Sequence, residues 1–343
     1  MTDQRSFGRT GLSVSSLTLG TMMFGRWGNP DHDDAVRIIH AALDAGINVI
    51  DTADVYAAGE SEQIVAKALA GGRRDDVVLA TKFHGSMGDD PNRRGNSRRW
   101  IFRAVEESLR RLQTDWIDLY QVHRYDPGTD VEETLGALDD LVRAGKIRYA
   151  GSSTWPLQRV VEAQWSARRD HRTRFVSEQP PYSILVRRIE GDLLPAALDY
   201  GLAVLPWSPL AGGWLSGRWR LGQEAPSSPR SARVPDRYNL ELPANRRKLE
   251  AADALARLAE EAGLTLIQLA LAWALRHPAV TSLIIGPRTM EQLQSQLGAD
   301  AIVLSDDVLD RIDEIVPPGT TVNPADDGWT NPALAPAARR RGA

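Results

Sequence analysis

One piece of punctuation recurs along the chain: an apolar-periodic helix closes on a glycine, and a short apolar run starts just behind it. Ala35–Ala45, with Val36, Ile39 and Leu43 on one face, gives way to Gly46 and then Ile47–Ile50. Val131–Ala144, with Leu135, Leu138 and Val142 in one stripe, gives way to Gly145 and Ile147–Ala150. Leu193–Tyr200 gives way to Gly201 and Leu202–Leu205. Glycine suits the residue after a helix because it takes the left-handed conformation without a Cβ clash. Helix and short strand alternating over a whole chain dictate a parallel sheet with helical crossovers.

The runs predict eight strands, near 17–20, 47–50, 77–81, 117–122, 147–150, 175–178, 203–206 and 281–285. Helices are expected near 33–45, 60–70, 97–112, 131–144, 156–168, 188–200 and 266–276, with another after the last strand. Helix 97–112 sets Ile101, Val105, Leu109 and Leu112 against arginines on the opposite face. Eight such units over roughly 300 residues suit a closed (β/α)8 TIM barrel. A doubly wound sheet is the alternative, but no strand–GxGxxG–helix fingerprint is present. The expectation is one barrel domain over residues 1–343, with 320–343 an irregular tail. Ser6–Ser13 reads as a hairpin ahead of the first strand, and Gly212–Pro243 as a long loop without helical or strand period. A loop of that length inside a domain is functional or disordered. The closing Arg339–Arg341 run reads as a solvated chain end.

Composition excludes more than it assigns. The chain contains no cysteine, which removes disulfides, thiolate metal sites and cysteine nucleophiles. A formal net charge of −4 gives no reason to expect nucleic acid or an anionic membrane as partner. No apolar stretch approaches the ~20 residues of a membrane span, and Met1–Arg9 lacks a signal-peptide core. The expected location is therefore the cytoplasm. The six histidines form no HxH or HExxH pair, so no metal site is expected and a metal-dependent barrel hydrolase is the weakest reading.

Four polar residues sit at or just beyond apolar runs: Asp51 after 47–50, Tyr56 five residues on, Lys82 after 77–81 and His123 after 117–122. If those strands are parallel neighbours, their C-terminal ends gather all four in one pocket. Each alone has an ordinary explanation: a cap, a packed ring, a paired lysine, a structural histidine. Together they make an acid–base device. A phenol is a poor acid at neutral pH, a nearby ammonium stabilises its anion, and a carboxylate keeps that ammonium charged. A histidine adds a hydrogen bond that orients a carbonyl or relays a proton. Such a device protonates a developing alkoxide, as carbonyl reduction requires, and the hydride must come from a cofactor.

At these residues the chain resembles the aldo-keto reductases, from about Phe7 to Asp313. The resemblance is carried by GTMMFG (20–25), INVIDTADVY (47–56), TKFHG (81–85) and SLRRLQTDWIDLYQVH (108–123). It continues through KIRYAGSSTW (146–155), SEQPPYSIL (177–185), LPWSPLAGGWLSGR (205–218) and IIGPRTMEQL (284–293). The nearest likeness is to the bacterial branch that includes potassium-channel beta subunits and sugar ketoreductases. The resemblance implies Tyr56 as general acid, Lys82 and Asp51 as its tuners, and His123 as the group that positions the carbonyl.

It also implies NADPH, rather than NADH, lying across the barrel mouth. Trp207 would stack on the nicotinamide, with Ser153, Thr154 and Gln179 at its carboxamide and Asp51 close by. Gly20, Thr21 and Met22 would line the cofactor and substrate mouth. Ser208, Pro209, Leu210, Gly212 and Arg218 would wrap the pyrophosphate, and Gly286, Arg288, Gln292 and Gln296 would meet the adenosine end. Arg288 would take the 2′-phosphate by a bidentate contact. Thr154 stands where many members carry Asn, and Ser295-Gln296 where a Glu-Asn pair is common.

The residues themselves add one point. The 212–243 segment carries Arg218, Arg220, Arg230, Arg233 and Arg237 against Glu224, Asp236 and Glu241, a basic excess that suits a flap over an anionic dinucleotide. The substrate side is expected to include Met22, Trp27, His84, Arg124, Trp155 and the tail near Trp329. The leading expectation is an NADPH-dependent reductase of a small-molecule aldehyde or ketone. The competing one is a cofactor-binding redox sensor or regulatory partner with little turnover.

Overall fold

Each expected apolar run becomes a strand, and the strands lie side by side in the order that alternation demands. The computed structural model describes residues 2–330 together with 335 and 338, so the arginine run at 339–341 lies outside the described residues. A hairpin of β1 (Gln4–Ser6) and β2 (Ser13–Ser15) precedes the main sheet. The sheet is built from β3 (Leu17–Gly20), β4 (Val49–Asp51), β5 (Val78–Phe83), β6 (Ile117–Val122), β7 (Ile147–Ser153), β8 (Phe175–Gln179), β9 (Ala203–Val204) and β10 (Leu283–Ile285). All pairings within it are parallel, in the order β10-β3-β4-β5-β6-β7-β8-β9. The two ends of that order meet: Val204 bridges Val280 in parallel, and the Thr281 and Ile284 N–H groups donate to Val204 O (2.9 Å) and Pro206 O (3.0 Å). The sheet is a closed (β/α)8 barrel.

The glycine punctuation has its expected cause. Gly46, Gly145 and Gly201 all adopt positive φ, at 95°, 73° and 62°. The pleat then sorts side chains into two layers. One face of each strand packs against the helices, with Leu19, Ile50, Leu79, Tyr120, Val122, Ala150 and Val204 buried there. The other face fills the barrel, with Val49, Val78, Ala80, Leu119, Ala203, Leu205 and Ile284. The hairpin plugs the lower end of that interior with Phe7 and Val14. It is pinned by the Arg9 N–H on Gly201 O (3.1 Å) and the Ser15 N–H on Asn48 Oδ1 (2.8 Å).

Two expectations need correction. The 212–243 segment is not wholly irregular: Pro229–Arg233 forms a short helix capped reciprocally by Ser228 and Ser231. Behind it runs the longest helix, Pro243–Glu261, which has no counterpart among the expected elements. Its buried face is made of Asn245, Lys248, Ala251, Ala252, Asp253, Leu255, Ala256, Leu258 and Ala259, so small and polar residues mask the apolar stripe. Among the described residues no single helix is long and apolar enough to cross a membrane.

Candidate active site

The barrel interior that is apolar below turns polar at the C-terminal ends of the strands, two residues at a time. Asp51 follows Val49, Lys82 follows Ala80, and Gln121 and His123 follow Leu119. Register sets Lys82 level with Gln121 and one pleat above Asp51, which pairs with Ala80. Lys82 lies inside β5 rather than after it, and is fully buried.

Lys82 Nζ is the hub. It donates to Asp51 Oδ2, to Thr52 O at 2.8 Å and to the Tyr56 hydroxyl at 3.2 Å. Burial works to discharge it, but the Asp51 carboxylate and then Tyr56 hold its ammonium above the ordinary lysine value. Gln179 Nε2 donates to Asp51 Oδ1 (2.9 Å) and to Gln121 Oε1 (3.1 Å), fixing the carboxylate from its other side. His123 meets the Tyr56 ring edge-on with centroids 5.8 Å apart. Its pKa lies well below the usual histidine value, first through burial and then through Lys82 and Arg124. At neutral pH it is therefore an uncharged imidazole, fit to hydrogen-bond a carbonyl rather than to donate charge.

Tyr56 reaches this cluster because the chain folds back sharply behind it. Ala57, Ala58 and Gly59 are all left-handed, with φ of 48°, 57° and 94°. Trp27 approaches from the loop after β3, its ring 6.2 Å from that of Tyr56, and Arg233 of the 212–243 segment stacks on Trp27 at 4.3 Å.

On the opposite wall, Thr154 Oγ1 accepts from both Trp207 Nε1 (3.2 Å) and Arg124 Nη1 (3.0 Å). Ser153 Oγ donates to Gln179 O at 2.9 Å. Glu178, fully buried behind this wall, accepts from Ser152 Oγ and from the Trp155 N–H (3.1 Å), and burial pushes its carboxyl up to about 7. The tail also reaches the rim: a Cβ on Gly328 would fall 2.9 Å from Thr154 Cγ2 and 3.0 Å from Trp207 Cζ2. His84 stands in the turn after β5, its Nδ1 2.9 Å from Asn96 Oδ1.

The cofactor-side candidates divide. Ser208, Ala211, Gly212 and Gly213 all have positive φ, so the segment after β9 coils into the kind of concavity that cradles anions. Gly212, Ser208, Trp207, Arg230 and Tyr238 line a common cavity, and Pro209 and Leu210 continue the same turn. A Cβ on Gly286 would meet nothing within 4 Å, whereas one on Gly20 would fall 2.7 Å from Ile284 Cγ2. Gly20 thus lets β10 approach, and Gly286 leaves open space. Gln292 Oε1 accepts from the Arg288 N–H (2.8 Å), and buried Gln296 is tied to Gln292 O (2.8 Å). Among the described residues Arg218, Arg230 and Arg288 have no carboxylate partner, while Arg220 pairs with Asp253 and Glu260 and Arg237 with Asp326. An uncompensated guanidinium, Arg230, in the cavity of an anion-cradling turn fits a phosphate-rich dinucleotide.

Two expected mouth residues point elsewhere. Thr154, with φ of 57°, turns the chain so that Trp155 enters the sheet–helix layer, buried between Tyr125 and Phe175 at ring distances of 5.3 and 5.1 Å. Thr21 is fully buried, its hydroxyl bonded to Ser61 Oγ (2.8 Å) and Asp51 O (3.2 Å), while Met22 beside it is half-buried. Gln121 and Glu178 were absent from the expected site. Gln121 was within reach of the pleat, since it lies two residues before His123.

Comparison with known proteins identifies the family. The family model described as the Aldo/keto reductase family matches residues 16–317. A Bacillus subtilis protein named as the uncharacterized oxidoreductase YrpG is 41% identical over 320 residues, covering 90% of this chain and 94% of that protein. A probable voltage-gated potassium channel subunit beta of Arabidopsis thaliana is 36% identical over 323 residues, covering 91% and 96%. An aldo-keto reductase of Fusarium vanettenii is 35% identical over 349 residues, covering 92% and 91%.

Proposed function

The chain belongs to the aldo/keto reductase family of NAD(P)H-dependent oxidoreductases, and from that premise we propose that it reduces an aldehyde or ketone to an alcohol with NADPH, Tyr56 supplying the proton. The observation that carries this reading is the buried Lys82 ammonium bonded at once to Asp51 and to the Tyr56 hydroxyl. The phenol hands its proton to the carbonyl oxygen of the substrate. Lys82 faces the negative charge that then develops on Tyr56, and Asp51, held by Gln179, keeps Lys82 charged and in place. His123, uncharged, hydrogen-bonds the carbonyl and sets its approach. When bound, the nicotinamide supplies the hydride.

For the cofactor, Trp207 would offer its ring, and Ser153, Thr154 and Gln179 their polar atoms. The turn at 208–213, with Arg218 and Arg230, would take the pyrophosphate. Arg288 would take the 2′-phosphate that distinguishes NADPH from NADH, beside Gly286, Gln292 and Gln296. Trp27, His84, Arg124 and Met22 remain for the substrate.

The test is Tyr56→Phe. Consumption of NADPH with 4-nitrobenzaldehyde falls by on the order of 10²- to 10⁴-fold, the usual range for a lost general acid. NADPH binding, followed by fluorescence, stays near wild type. Undiminished turnover removes Tyr56 as the acid.

A second reading, a cofactor-occupied redox partner, is favoured by the relatives named as potassium channel beta subunits. Turnover separates the two. A reductase consumes many equivalents of NADPH per protein, and a sensor close to one.

A further inference from the structure

We propose that Arg124 grips a carboxylate on the carbonyl substrate, so that the pocket selects aldehydes or ketones carrying an anionic group. This rests on the reductase reading above and adds a substrate class to it. Arg124 follows His123 directly at the end of β6, and its guanidinium is folded back onto the rim. Nη1 donates to His123 O (2.7 Å) and Thr154 Oγ1 (3.0 Å). Among the described residues Nε and Nη2 have no hydrogen-bond partner, and no carboxylate lies within ion-pair distance. Those two nitrogens form one edge of the guanidinium, the edge that takes a carboxylate through two parallel hydrogen bonds.

An uncompensated cation in such a place is costly. Burial already lowers the pKa of Arg124, which reports the loss of water around it. Glu178 is a carboxyl in electrostatic reach, but it is engaged by Ser152 and the Trp155 N–H and makes no ion pair with Arg124, and burial pushes its carboxyl up to about 7. The neighbours at the mouth share the sign of Arg124. Arg237 repels it, and Arg233 covers Trp27 on the far side of Tyr56. Asp326, the nearby acid of the tail, is taken by Lys248 (2.9 Å) and Arg237 (3.7 Å).

Position decides what an anion bound there would belong to. Arg124 is in electrostatic reach of Tyr56 and shares Thr154 Oγ1 with Trp207. On this proposal, a carbonyl held at Tyr56 and His123 has its remote end at the free edge of Arg124. The phosphates of a dinucleotide have their own uncompensated partners, Arg218 and Arg230 on the segment after β9 and Arg288 after β10.

The experiment compares 4-carboxybenzaldehyde with its neutral methyl ester, NADPH being saturating, in the wild type and in Arg124→Gln and Arg124→Lys. A charge-assisted pair predicts a wild-type kcat/KM for the acid at least about tenfold above that for the ester, carried by KM. Arg124→Gln brings that ratio to about one or below. Arg124→Lys, which keeps the charge without the two-pronged edge, retains part of it. Equal wild-type values for acid and ester overturn the proposal even if neither variant folds. So does a ratio unmoved by Arg124→Gln, or a variant whose sole change is a raised KM for NADPH, which would give Arg124 to the cofactor. If neither the acid, nor the ester, nor 4-nitrobenzaldehyde is reduced, the reductase reading itself falls and takes the proposal with it. Reduction of the neutral compounds without preference for the acid defeats the proposal alone.

Discussion

The two ends of this barrel are made from the same strands and obey opposite rules. At the N-terminal end the interior is Phe7, Val14, Val49, Val78 and Leu119, apolar, buried and closed by a hairpin. At the C-terminal end the next inward positions are Asp51, Lys82, Gln121, His123, Ser153 and Gln179. Backbone conformation divides the same way. Among the described residues Ala57, Ala58, His84, Thr154, Ser208 and Ala211 are non-glycine residues with positive φ at the upper rim, against Gln113 and His171 elsewhere. One end is optimised for burial. The other keeps charge, strain and unpaired cations where a reaction needs them, at the cost of stability.

The largest stability effect expected at the upper end comes from Lys82→Met. It strands the buried Asp51 carboxylate, a loss of about 3–5 kcal/mol for a broken buried pair. Adding Asp51→Asn removes the stranded charge and should restore most of the stability but none of the activity. Urea unfolding of the three variants beside NADPH consumption reads both. A Lys82→Met protein as stable as wild type would mean that the pair is not held as tightly as its burial says. At the lower end, Phe7→Ala should cost about 3–5 kcal/mol through lost packing. Turnover per folded molecule should stay unchanged, because the ring belongs to the apolar plug at the end opposite the polar cluster. A fall in kcat there would break the division between the ends.

How much of this was legible in the chain follows from which force decides each element. β6 at 117–122 and the helix at 266–276 fall where the apolar pattern sets them, because burial dictates both. Asp51, Lys82 and His123 converge because strand order and the two-residue pleat aim those side chains into one mouth, and Tyr56 joins them from the left-handed turn behind β4. Trp155 escaped the pattern because a single left-handed residue, Thr154, redirects it, and nothing in a threonine announces that φ. The Pro243–Glu261 helix escaped because its buried face includes Asn245, Lys248 and Asp253, each of which has a tertiary partner. Lys248, for example, pairs with Asp326 of the tail, 78 residues away. Tertiary pairing of this kind has no local signature.

Acidity offers a finer probe of the upper end. Burial raises the Glu178 carboxyl from 4.5 to about 7. A group that holds its proton more tightly folded than unfolded adds stability that is complete below about pH 4.5 and lost as the pH rises through about 7. Glu178→Gln cannot titrate, so its stability relative to wild type should improve by on the order of 3 kcal/mol across that window. Chemical denaturation of both proteins at several pH values isolates this from every other titrating group. A difference that does not change with pH would mean that Glu178 is ionised in the wall behind Thr154, and so a full counter-ion for Arg124.

The smallest effect expected concerns strain alone. Ala58 is exposed and left-handed at φ 57°, one residue after the equally left-handed Ala57. A Cβ in that conformation crowds the following carbonyl and costs roughly 1–2 kcal/mol, which glycine avoids. Glycine also gives the unfolded chain more freedom, which returns part of the gain. Ala58→Gly should therefore stabilise the protein by up to about 1 kcal/mol in urea unfolding. The same change loosens the turn that carries Tyr56 toward Lys82, so a more stable variant with a lower kcat would show that the strain holds the phenol in place. A gain in stability with kcat unchanged would assign the turn's rigidity to the Lys82 hydrogen bond and the Trp27 contact instead.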